Sequence, residues 1–187
     1  MKLLFALFLL ACCSKAGLQA QPGRLEVKAG GSVTTIVGPG LNTQPRVQPL
    51  AGLLLGASRR LPLSPAQPLL LQVELFYRQQ GYRLVRTAPV ADYQATVRLH
   101  YVSVPLLFVA EHRRWWVGLG PQAGYLVGVR EQHQGVRVPG AVGGGTRVST
   151  DARGYPRWDA AGVAAAGCRW ASGVGVEVRH THSLTSI

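Results

Sequence analysis

Residues Trp115–Val129 read WWVGLGPQAGYLVGV. Taken every second residue, they split into two faces. One carries Trp115, Val117, Leu119, Pro121, Ala123, Tyr125, Val127 and Val129; the other carries Trp116, Gly118, Gly120, Gln122, Gly124, Leu126 and Gly128. A period of two over this length specifies a strand, and each glycine would cost a helix about 1 kcal/mol relative to alanine. The bulk is all on one side. A soluble sandwich buries its large face against a second sheet, whereas a barrel in lipid turns that face to the acyl chains and leaves small residues inside. The glycines favour the barrel.

Neighbouring stretches repeat the pattern. In Leu69–Val85, residues Leu69, Leu71, Val73, Leu75 and Tyr77 oppose Gln72, Glu74, Phe76, Arg78 and Gln80. In Val47–Arg60, Ala51, Leu53, Leu55 and Ala57 oppose Gly52, Leu54, Gly56 and Ser58. Arg24–Val37, Ala95–Ala110, Trp158–Trp170 and Gly173–Leu184 complete a set of about seven strands, with a break in the alternation at Pro105 that predicts a bulge or rim position. Tight connections at 111–114 and 171–173 contrast with long ones at 38–45, 86–94 and 130–157, the last holding Gly143-Gly144-Gly145. That asymmetry belongs to transmembrane barrels, as do aromatics at strand ends: Tyr77, Tyr101, Trp115, Tyr125, Trp158 and Trp170. The fold expected is all-β: an antiparallel up-and-down transmembrane β-barrel of the small eight-stranded type, lacking its last strand, located in the outer membrane.

Met1–Gln21 has the form of a secretory leader, with an apolar run from Leu3 to Cys13 too short to span a bilayer as a helix and an exit after Ala20. This gives a signal peptide over 1–20 and a barrel domain over 21–187, truncated at its C-terminus. Lipidation at Cys12 is the rival processing. After the leader, Cys168 is the sole thiol, which excludes a disulfide-stapled module. With 20 basic and 8 acidic residues the net charge is +12. The bases are scattered along strands with no Lys/Arg block, which argues against nucleic acid and for outer-membrane lipids or lipopolysaccharide as the anionic neighbour.

Eight residues are expected to form a polar network in the lumen: Glu26, Lys28, Glu74, Arg78, Arg98, His100, Glu177 and Arg179. Side chains just fill the interior of an eight-stranded barrel, so mixed charges there read as a plug, and the sharper alternative is a small-solute path or ligand pocket. His180 and His182 share a face but lack further ligands for a metal. Glu177 and Ser183 share strand parity and His182 does not, so a hydrolytic triad on those three is not expected. The triple glycine lacks the following Lys-Ser/Thr of a phosphate loop. No cofactor, metal or catalytic residue is expected. The chain reads as a non-enzymatic monomer, with the 130–157 loop available to a protein partner. An outer-membrane lipid hydrolase and a soluble lipocalin-like carrier are the alternatives.

Three motifs carry a family resemblance. Tyr77 and Gly81 match a Tyr-x-x-x-Gly strand, Tyr101, Pro105 and Leu106 a Tyr-x-x-x-Pro-Leu strand, and Gly120, Pro121, Gly124 and Tyr125 a Gly-Pro-x-x-Gly-Tyr strand. Together with Asp159–Leu184, these resemble the PorT-type outer-membrane β-barrel family over nearly the whole chain. The resemblance implies eight strands ending on an aromatic residue, which LTSI at the C-terminus does not supply. It also implies that some relatives take part in protein secretion.

Overall fold

The structure, a computed structural model, describes residues 3–12, 25–37, 46–63, 69–86, 93–135 and 146–185. The exit at Ala20, most of the 38–45 and 86–94 connections and the 143–145 glycines lie outside the described residues. Among the described residues there are nine strands: β1 (Leu3–Cys12), β2 (Leu25–Val37), β3 (Arg46–Pro62), β4 (Leu69–Arg86), β5 (Tyr93–His112), β6 (Trp115–Gly135), β7 (Thr146–Ser149), β8 (Trp158–Arg169) and β9 (Gly175–Ser183). No helix among the described residues is long and apolar enough to cross a membrane, which leaves crossing by strands open.

The pairings run β1 through β6, then β8, β9 and back to β1, every neighbour antiparallel. Eight strands thus form a ring, and β7 adds to the far end of β6 at Glu131–Gln134. Two elements stand outside the expected seven. One is β7, inside what reads as a 130–157 loop, along with the continuation of β6 to Gly135. The other is β1. Its ten residues, assigned above to the leader, lie between β2 and β9, with Leu9 opposite both Gly31 and Val178. In that position its backbone groups are paired on both sides, as a strand crossing hydrocarbon requires.

Pro62, Leu69, His112, Trp115, Arg169 and Gly175 stand at one end of the ring, and Val37, Arg46, Arg86, Tyr93 and Gly135 stand at the other, the end of the long connections. At the first end Arg113 takes a positive φ of 56°, which lets two residues turn β5 into β6 with the twist a hairpin needs. Gly173, at φ 84°, closes the β8–β9 turn by donating its N–H to Trp170 O.

The faces divide by chemistry. Leu75, Phe108, Trp115, Val117 and Leu119 are exposed on the outside, Leu119 at 65 %, while Glu74 and Arg78 inside are each 2 % exposed. Small residues make room where the wall is crowded. A Cβ on Gly120 would lie 1.8 Å from Leu106 O, and one on Gly167 would lie 2.6 Å from the Trp116 indole nitrogen. Trp116 therefore turns inward where its neighbour Trp115 turns out.

Two expectations change at the long-loop end. Pro105 keeps its register opposite Gln122, and the irregularity sits instead where Leu99 and His100 oppose Val129 and Gly128 while Tyr101 opposes Leu126. Val127 is the extra residue, a bulge that rotates the strand beyond it. Val129, expected on the outer face, is consequently buried inside, at 5 % exposure. It joins Val97, Leu99, Tyr101 and Leu126 in an apolar core flanked by Tyr82, Ala152 and Tyr155.

Candidate functional site in the barrel lumen

Below that core the lumen is ionic. Lys28 Nζ on β2 lies 2.6 Å from Glu74 Oε1 on β4 and 2.7 Å from Glu177 Oε2 on β9. Arg179 Nη2 lies 2.5 Å from Glu74 Oε2 and 2.6 Å from Glu177 Oε1. Each cation meets both carboxylates, so the four form a closed, neutral quartet across the barrel. The Arg179–Glu74 contact is ionic, lying off the hydrogen-bonding direction, while Arg179 Nε donates to Glu177 at 2.8 Å. Gln72 donates to Glu74 at 2.7 Å and accepts from Arg60 Nε at 2.5 Å. Aromatic faces complete the packing: Arg179 lies 4.7 Å from the Phe76 ring centre, and Lys28 lies 5.5 Å from Trp116. Such contacts add attraction when the cation is desolvated.

A second cluster stands nearer the long-loop end. Arg78 pairs with Asp159 on β8 and donates to Ser103 Oγ at 2.9 Å. Asp159 Oδ1 also accepts from Ser183 at 2.5 Å and from Thr185 at 2.8 Å. At the opposite end Arg60 pairs with Glu111, and Arg169 lies 2.6 Å from Glu26. Beside them is a cavity of about 20 Å³ lined by Glu26, Lys28, Arg60, Trp116, Arg169 and Glu177, enough for one water.

Of the residues expected in the lumen, the structure brings together Lys28, Glu74, Glu177 and Arg179, places Arg78 one layer away and puts Glu26 at the mouth. Arg98 and His100 are a correction. Both lie on the outer wall, Arg98 exposed and His100 hydrogen-bonded by its Nδ1 to Tyr77 Oη at 2.6 Å. The physical reason is an inversion of polarity along β5. Within the membrane band the outside is apolar and the inside charged. Beyond it, water replaces lipid, so Leu99 and Tyr101 go inside and Arg98 goes out. Arg60, Glu111, Asp159, Arg169 and Ser183 belong to the lumen set without having been read there. Arg60 shares the inward parity of Ser58; Asp159 is the second residue of β8, with only Trp158 before it to place it.

Other candidates resolve by position. Ser183 and Glu177 are buried inside and His182 alternates with them on β9, so the three do not converge. Among the described residues no group of three or more His, Cys, Asp or Glu could hold a metal ion. Outside the strands, burial and then its hydrogen bond to Glu131 at 2.5 Å push the Tyr155 hydroxyl above its ordinary range, which keeps it a proton donor.

The band between the aromatics has membrane height. Trp115 and Tyr125 stand ten residues apart on the outer face of β6, about 25 Å at 3.3 Å per residue and a tilt of about 40°. Tyr77, Val102, Tyr125 and Trp158 follow one another in register across β4, β5, β6 and β8, and the Tyr125 and Trp158 rings meet edge-on at 5.0 Å. Apolar walls, aromatic edges and an enclosed charge network define an outer-membrane β-barrel. Residues 19–187 match the profile of the outer membrane protein beta-barrel domain family, and the chain belongs to that family. Its place is the outer membrane. No curated protein matches the chain.

Proposed function

We propose that this is a non-enzymatic, PorT-like barrel whose lumen is plugged by its own side chains and whose loop-end surface meets a protein partner in secretion or envelope maintenance. The observation that carries the plug is the quartet of Lys28, Glu74, Glu177 and Arg179, which ties β2, β4 and β9 together across the lumen. Carboxylates and cations this close compensate one another and leave no unpaired charge to attract a permeating ion. Reconstituted in a planar bilayer, the wild-type chain is expected to show no steady ionic conductance. Lys28→Ala/Glu74→Ala/Glu177→Ala/Arg179→Ala is expected to conduct. A wild-type protein that conducts steadily overturns the plug, and lipid deacylation by the wild type would return the hydrolase reading.

Export through a leader cut after Ala20 belongs to this proposal. The membrane-inserted chain is then expected to begin at Gln21 by N-terminal sequencing, without Leu3–Cys12. A chain that begins at Met1 keeps Leu3–Cys12 in the ring.

A further inference from the structure

The charge has an uneven distribution that the plug does not use. Lumen cations Lys28, Arg60, Arg78, Arg169 and Arg179 are matched by Glu26, Glu74, Glu111, Asp159 and Glu177, so the whole surplus of +12 lies elsewhere. Part of it is gathered on the outer wall. Arg98 on β5 stands directly opposite Arg130 on β6, and both are exposed and outward-facing. Arg83 on β4 faces Thr96, one step diagonal from Arg98. Its Nε is shut off from solvent and has no hydrogen-bond partner. Among the described residues no ion pair includes any of these three arginines.

Like charges directly opposite in a sheet repel, with Cβ atoms only about 5 Å apart. The arrangement is stable when an anion lies between them. Its height selects the anion. Arg98 lies four residues beyond Val102, which is in register with Tyr77 and Tyr125; this is about 10 Å past the aromatic edge. That is headgroup depth, within reach of an arginine whose apolar stem lies on the wall. A guanidinium fork matches phosphate oxygens better than an ammonium does.

We propose that Arg83, Arg98 and Arg130 form a binding site for the phosphate of a membrane lipid in the leaflet at the long-loop end. The site rests on the outer-membrane reading above. It takes a lipid phosphate rather than a dissolved one because it faces the membrane side of the wall just beyond the aromatic edge, not the lumen.

The test uses the full chain folded in neutral detergent micelles and titrated with diphosphorylated lipid A, with dephosphorylated lipid A and with inorganic phosphate. Wild type is expected to prefer the phosphorylated lipid. Arg98→Gln/Arg130→Gln is expected to weaken that binding about tenfold or more, the loss of charge-assisted bonds from two guanidinium groups. Without lipid, the same variant is expected to melt no lower than wild type, because a repulsion is removed. Arg113→Gln/Arg114→Gln, at the opposite end, is expected to bind as wild type does. If the glutamine pair fails to fold, the wild-type comparison of the two lipids carries the result. Equal binding of both lipids overturns the site. Equal loss in the Arg113/Arg114 variant also overturns it, in favour of diffuse charge attraction. Full competition by inorganic phosphate shows a free-anion site instead. A chain that shows no heat-modifiable migration defeats the barrel reading itself, whereas a folded barrel with no phosphate preference defeats the site alone.

Discussion

Arg179→Met is expected to destabilise the folded barrel by about 3–5 kcal/mol, the cost of removing one member of a buried ion pair and leaving the other uncompensated. Arg179 touches both Glu74 and Glu177, and without it the two carboxylates share Lys28 alone. One of them must then be buried as an unpaired charge or take up a proton. Urea unfolding in detergent, followed by tryptophan fluorescence and by heat-modifiable gel migration, measures the loss. The compensated variant Arg179→Met/Glu177→Met leaves a Lys28–Glu74 pair and should regain most of the stability. Replacing all four residues by apolar side chains of similar volume should be neutral or stabilising, because desolvating the quartet cancels much of its attraction. A cost under about 1 kcal/mol for Arg179→Met, the range of a surface ion pair, would mean that water reaches the network.

Leu119→Arg should cost about 2–4 kcal/mol in lipid vesicles, the penalty for a cation on the lipid face near the bilayer midplane. Leu119 lies four residues from Trp115 and six from Tyr125, is 65 % exposed and pairs with Phe108 and Ala164. Val127→Arg, on the same strand beyond Tyr125, should cost about 0–1 kcal/mol because it lies near the interface. The contrast between the two positions is the informative quantity. In a water-soluble barrel both residues face solvent, and an exposed arginine changes stability by at most about 0.5 kcal/mol at either. Equal, small effects at Leu119 and Val127 would remove hydrocarbon from the outer wall.

The strand character of Trp115–Val129 was legible because two-residue periodicity needs only local information. The same holds for the inward charges of β2, β4 and β9, where Lys28 and Glu177 share their faces with small or polar neighbours and Glu74 shares its face with Gln72, Phe76 and Arg78. Arg98 and His100 were not legible in the same way. Parity separates the faces of a strand without saying which one is inside, and the rule that assigns them reverses where membrane gives way to water. The reversal does leave a trace: on β5 the residues alternating with Val102, Val104 and Leu106 include Leu99 and Tyr101, and the outer set turns basic at Arg98. Val129 needed knowledge of the Val127 bulge, which depends on pairing between strands and not on β6 alone. Asp159 became visible only when β8 brought it beside Arg78.

Where Leu3–Cys12 stays in the chain, the place of β1 has a consequence for the order in which the barrel folds. It stands between β2 and β9, so Leu9 reaches Gly31 on one side and Val178, near the far end of the chain, on the other. Hairpins such as β5–β6 form from neighbours in sequence, but the last seam requires β1 to meet β9, the two ring strands farthest apart in sequence, with the loop-closure entropy that such a separation carries. Until then the sheet is an open ribbon whose edge amides hydrocarbon would penalise by several kcal/mol each. The ribbon must therefore assemble with its edges still wet and enter the bilayer core only as the seam closes, which makes insertion a late, all-at-once event governed by the slowest contact in the molecule.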